Sequence, residues 1–269
     1  MKNNEIKDFI EKIKIESTYK KFLKIDIIYQ LIDIFKSNYD KVNYPNNIKN
    51  PLKIALQFYK DFNEQYYKMI IDGIKNEKIL IAKNNSESYV NTKNNSTYIK
   101  PCEDDSDLFI IVHELAHFID RNSNPHIIPN EYWFLSETFA FYIEKKLEAW
   151  LNFEKYKDLI LIRRNNRLYY EKRMLIAIEA ELYYEDLYKK NGIINESEID
   201  FEKINLVKNF KEPNFVNYLL QFPLANIISS YLIQQNICIN DSEFTNMCLK
   251  IDLYETLREY VNKPIKFHL

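Results

Sequence analysis

Ile111-Val112-His113-Glu114-Leu115-Ala116-His117-Phe118-Ile119 is the stretch on which the reading of the chain turns. It contains His-Glu-x-x-His, with the two histidines four positions apart. On an α-helix that spacing stacks both imidazoles on one face, one turn from each other. Two neutral imidazoles so placed can bind one Zn²⁺, and Glu114 can reach the water that such an ion activates. Leu108, Ile111, Val112, Leu115 and Ile119 form the apolar remainder, so the helix is expected in a core. Asp104, Asp105, Ser106 and Asp107 lie just upstream and offer capping and first-turn residues. The bland alternative is a pair of hydrogen-bonded core histidines. With only 4 His in the chain, chance placement at this spacing with a Glu between them is rare.

A catalytic zinc site needs a third protein ligand besides water. Glu137 fits, 20 positions after His117 among Trp133, Phe134, Phe139 and Phe141, where a lone carboxylate would be expensive. Glu144 follows seven positions later, two turns along the same face, and suits a residue that orients a ligating histidine. Asp120 is a weaker candidate for that role. His126 is an alternative third ligand, but it is flanked by prolines and lacks the Gly and fixed spacing of three-histidine zinc sites. His268 carries no signal.

Composition bounds the rest. The 269 residues can bury a sizeable core, and 46% hydrophobic content excludes a disordered chain. Only 2 Gly favour a mostly helical protein. A net charge of −2 without a basic stripe argues against nucleic acid as a partner. Three cysteines, Cys102, Cys238 and Cys248, lack paired spacing and read as reduced thiols. No apolar signal core or membrane span is evident, so a cytoplasmic protein with no membrane partner is expected.

Along the chain, residues 5–38 have helical periodicity, and Pro51 opens a second helix running to about Asp72-Gly73. Residues 78–82, 88–92 and 97–99 are short β-type runs separated by Asn-rich turns. Helical segments follow at about 131–151, 153–190, 196–210, 214–236 and 242–262. Gly192, after Lys189 and Lys190, marks a helix end. These patterns predict residues 1–74 as an N-terminal helical segment packed on a continuous part spanning 75–269.

Residues 78–236 resemble the thimet oligopeptidase and oligoendopeptidase F metallopeptidases. The resemblance rests on Tyr98-Ile99-Lys100-Pro101, the acidic Glu103-Asp104-Asp105, His113 to His117, Glu137 with Glu144, Arg173 to Leu182, and Tyr218-Leu219-Leu220-Gln221-Phe222. It implies a zincin-like domain, mainly α with a small β-sheet (α+β). It also implies one Zn²⁺ per chain on His113, His117 and Glu137, and cleavage of peptides or unfolded segments with Glu114 as general base. Tyr218 takes the place of a donor to the oxyanion, as one of 21 tyrosines that could equally pack a helical core. Ala116 stands where the family has Gly, no His lies between Gly192 and Tyr218 where the family has one, and Phe222 replaces a Tyr. The missing His favours a zinc-holding but inactive interaction module as the alternative function, with a structural zinc domain a third reading. The chain is shorter than those enzymes, so a more open cleft is expected. Nothing in the sequence indicates an oligomer.

Overall fold

The computed structural model describes residues 2–21, 23–35, 39–82, 87–91, 95–123, 133–200, 202–203, 205 and 214–235. Four helices come first: α1 (Lys2–Glu16), α2 (Ile25–Ile34), α3 (Pro51–Phe62) and α4 (Glu64–Lys75). Strands β1 (Ile79–Ile81), β2 (Tyr89–Asn91) and β3 (Ser96–Ile99) precede α5 (Asp107–Ser123), α6 (Trp133–Trp150), α7 (Phe153–Asn191) and α8 (Phe215–Gln234). A single turn of 3₁₀ helix spans Glu196–Glu198. The protein is therefore mainly helical with a small sheet. Among the described residues no helix is long and apolar enough to cross a membrane. Cys102 is an exposed free thiol. The segment 242–262, residues 201, 204 and 206–210 of the expected 196–210 helix, Cys238, Cys248, His126 and His268 lie outside the described residues.

The chain forms two compact units. One contains Met1–Asp40 and Asn166–Pro223, the other Lys41–Asn165 and, among the described residues beyond Pro223, 224–235. The division falls after Asp40, within α7 and within α8. The motif helix belongs wholly to the second unit.

In that unit β3 is central, parallel to β1 and antiparallel to β2. The rings of Tyr89 and Tyr98, directly opposite in the β2–β3 register, stack 4.6 Å apart. α5 packs on β3, α3, α4 and α6. Leu108, Ile111, Val112, Leu115 and Ile119 are buried in one apolar cluster with Phe58, Ile70 and Leu147. The buried Tyr59 hydroxyl donates to the Val112 carbonyl at 2.7 Å and ties α3 to the middle of α5. The acidic run before α5 is used up locally. Asp105 accepts from the backbone of Asn47 and Ile48, Asp107 from that of Cys102 and Glu103, and Asp104 from that of Ser106.

Three boundaries differ from the sequence reading. The helix expected over 5–38 is two helices, because the Ser17 and Thr18 hydroxyls turn back onto the Lys14 and Ile15 carbonyls and Lys24 is extended. The helix expected from Pro51 to Gly73 is broken at Asn63, whose side chain caps α4 by accepting from Gln65 and Tyr66. Gly73 does not end α4. It sits inside it, where a Cβ would come within 2.6 Å of Phe118 Cζ and 2.8 Å of Ile79 Cδ1. That glycine is a packing requirement of α4 against β1 and α5.

The first unit joins α1 to α7 through charge. Lys12 pairs with Glu181 at 3.4 Å and Lys21 with Glu185 at 2.7 Å, while Glu16 accepts from the Phe215 backbone at 2.9 Å. Phe9 meets Tyr184 edge-on. Burial pushes the Glu181 carboxyl up to about 7, against the pull of Lys12.

Two outcomes follow from these contacts. Gly73→Ala should destabilise the protein by about 1–2 kcal/mol despite alanine's better helix propensity, because the buried Phe118 ring cannot retreat; chemical denaturation measures it. Glu181 has a folded pKa above its unfolded one, so it disfavours folding progressively as pH rises from about 4.5 through 7. Melting temperatures at pH 5 and pH 8 should therefore differ less in Glu181→Gln than in the wild type.

Candidate metal centre

α5 and α6 pack against each other, and the chemistry sits on their shared seam. His113 and His117 project from α5 one turn apart, and their Nε2 atoms stand 3.0 Å from each other. From α6, Glu137 brings Oε2 to 3.3 Å from His113 Nε2 and Oε1 to 3.5 Å from His117 Nε2. These three residues are the one group among the described residues that offers three such ligand atoms together.

The far side of the His113 ring fixes its tautomer. His113 Nδ1 lies 2.7 Å from Glu144 Oε1, on α6 two turns past Glu137. An ionised carboxylate only accepts, so Nδ1 carries the proton and Nε2 of the neutral ring presents a lone pair to the centre. His117 Nδ1 lies 3.0 Å from Ser136 Oγ, which can accept in the same way. Glu144 is fully buried, and its other oxygen receives two bonds from Arg163 on α7, at 3.0 Å from Nε and 2.7 Å from Nη2. Arg163 also lies over the Phe109 ring. A fork of this kind holds the carboxylate ionised and in plane.

The three ligand atoms are placed where they could hold a cation. Two bare imidazole nitrogens 3.0 Å apart repel unless positive charge stands between them. Glu137 Oε2 is buried and makes no hydrogen bond of acceptable geometry, although it lies 3.3 Å from a histidine nitrogen. Zinc ligands at 2.0–2.1 Å in a tetrahedron stand about 3.3 Å apart. The separations here, 3.0, 3.3 and 3.5 Å, bracket that value, with the two oxygens of Glu137 sharing the approach. Two nitrogens and one carboxylate are also the donor set of a catalytic rather than a structural zinc.

Charge tells the same story. Burial works against the positive form of His113, but the carboxylates of Glu137 and Glu144 beside it lift it to about 10. Burial alone would raise Glu137, yet the imidazoles of His117 and His113 hold it well below the usual carboxylate range. A proton on His113 thus supplies positive charge where a bound cation would, so a cation would have to displace it. Glu144 keeps Arg163 above its ordinary pKa in spite of burial.

Glu114 projects from the same turn of α5. It is partly exposed and makes no hydrogen bond among the described residues. Asp120 is buried further along α5, while both ring Nδ1 atoms meet residues of α6. Tyr218 belongs to the other unit, on α8, with its ring edge-on to Phe222. Sequence reasoning missed Ser136, whose signal was its place next to Glu137, and Arg163, which is one of many cations along α7. A cavity of about 720 Å³ in the same unit is lined by Tyr44, Asp105 and Tyr156 and by none of the ligand residues. Compared with known protein families, curated proteins and solved structures, the chain matches none.

The purified protein should carry about one zinc per chain, and His117→Ala and Glu137→Ala should lose it; elemental analysis decides. Glu137→Ala that retains full zinc would remove it from the ligand set. Glu144→Gln and Arg163→Met should fold and still bind zinc, with affinity about 10–100-fold lower by chelator competition, because each loosens His113 without deleting a ligand.

Proposed function

We propose that the chain is a zinc-dependent peptidase of the zincin-like kind, acting on peptides or extended segments. The observation that carries this reading is the convergence of His113, His117 and Glu137 beside a carboxylate, Glu114, that takes no part in holding them. His113, His117 and Glu137 would hold Zn²⁺, which when bound supplies a Lewis acid that polarises the scissile carbonyl and acidifies water toward pKa of about 7.

The chain's own residues do the rest. Glu114 takes the proton of the attacking water as its oxygen bonds to the carbonyl carbon. It then delivers that proton to the amine as the C–N bond breaks. Glu144 and Arg163 hold the His113 ring in one tautomer throughout. The outer strands β1 and β2 offer backbone groups to which an extended peptide can add as a strand. Tyr218 stands as a donor to the oxyanion by resemblance alone.

An interaction module that binds zinc and peptide without turnover is the second reading, favoured by the absence of a His between Gly192 and Tyr218. Hydrolysis of a peptide library by the zinc-loaded chain separates the two. Glu114→Gln should keep its zinc and lose hydrolysis by a factor of about 10²–10⁴, because it removes the general base and no ligand. A Glu114→Gln chain that loses its zinc would overturn the role given to Glu114, and a wild type without turnover would leave the interaction module.

A further inference from the structure

Arg121 is the one cation that the geometry of α5 aims at the candidate centre. It follows His117 by four positions, so it shares the face of the two imidazoles, one turn further on. It follows Glu114 by seven. At 100° per residue that is two turns less about 20°, so Arg121 lies almost in line with Glu114, about 10.5 Å further along the axis. Side chains of a helix tilt toward its N-terminus. A long guanidinium at 121 therefore reaches back over the turn of His117 toward Glu114 and the metal ligands.

Its surroundings agree. Burial pulls the Arg121 guanidinium below its ordinary pKa, while the carboxylates of Asp120, Glu114 and Glu137 favour its charge. It is these three acids that feel it, and two of them belong to the centre. Yet Nη1 is buried and has no hydrogen-bond partner among the described residues. Arg163 shows the contrast: it is equally cationic, on the other side of the seam, and spends two nitrogens on Glu144. A buried guanidinium nitrogen without an acceptor is costly to keep, and a bound anion would satisfy it.

We propose that Arg121 anchors a carboxylate of the bound peptide beside the metal centre and so sets which peptides the site selects. This rests on the peptidase reading for its location but not for its test. The planar fork of arginine takes a carboxylate by two parallel bonds, which fixes the orientation of the ligand as well as holding it. The carboxylate has two sources, the C-terminus of a short peptide or an Asp or Glu side chain near the scissile bond.

The test uses the zinc-loaded Glu114→Gln chain, which binds without cleaving. Fluorescence anisotropy measures its affinity for one fluorescein-labelled alanine-rich hexapeptide in three forms: free acid, C-terminal amide, and amide with one internal Glu. The free acid, the Glu-bearing amide or both should bind about ten- to a hundredfold more tightly than the neutral amide. The stronger of the two identifies the source of the carboxylate. In Glu114→Gln combined with Arg121→Met the preference should vanish, and with Arg121→Lys it should survive in part. Zinc content and circular dichroism of each variant show that it is folded, and Arg121→Gln replaces Arg121→Met if the latter is not. Equal binding of all three peptides overturns the proposal. So does a preference that persists in Arg121→Met, since the metal and not the arginine would then hold the carboxylate. Wild-type hydrolysis of the same peptides separates the two readings. Arg121-dependent binding without cleavage removes the peptidase and keeps the anchor. Cleavage that is indifferent to charge and to Arg121 does the reverse.

Discussion

Repulsion between two lone pairs is the constraint on which the site depends. Glu144 fixes the His113 ring so that its Nε2 is bare, and that nitrogen faces Nε2 of His117 at 3.0 Å. Such a pair is stable only with a proton or a metal ion between its members. Every other feature of the seam answers to this demand. Glu137 adds negative charge on the third side, Ser136 meets the second ring, and Arg163 holds Glu144 in place through two hydrogen bonds. The apolar flank of α5 shields the arrangement, which strengthens each interaction in it.

Much of this was legible in the sequence because it is written in short helical spacings. Four residues separate the histidines and seven separate Glu137 from Glu144, and both intervals return a side chain to the same face. The three β-type runs, the end of α7 at Gly192 and the helical character of α6, α7 and α8 were readable from turn residues and periodicity for the same local reason. What escaped was long-range or double-valued. Asn63 fits a helix interior and a cap equally well, and its role is fixed by whether Gln65 and Tyr66 need an acceptor. Gly73 looked like a stop signal, but its meaning lies in Phe118, 45 residues away. Arg163 cannot be told from its neighbour Arg164 without knowing which of them faces Glu144; Arg164 in fact pairs with Glu148.

The two units use buried charge in opposite ways. In the unit of the centre, Glu144 has both oxygens engaged, one by a histidine and one by an arginine. In the other, Glu181 has a lysine 3.4 Å from one oxygen and no hydrogen bond to the other among the described residues. The first arrangement defines a single geometry. The second leaves a carboxyl that burial pushes up to about 7, which gives that unit a dependence on acidity separate from that of the candidate centre.

The placement of the ligands on two helices has a consequence for how such sites drift in evolution. Within α6 the interval from Glu137 to Glu144 is rigid: one deleted residue would swing Glu144 by about 100° and leave His113 without its partner. The same holds between His113 and His117. Between the two helices no such rule applies, since only the position of α6 matters and not the length of chain that leads to it. Insertions and deletions can accumulate there while the centre survives unchanged. Two rigid intervals, of four and of seven positions, joined by an elastic one are all that the placement of these side chains demands of the chain.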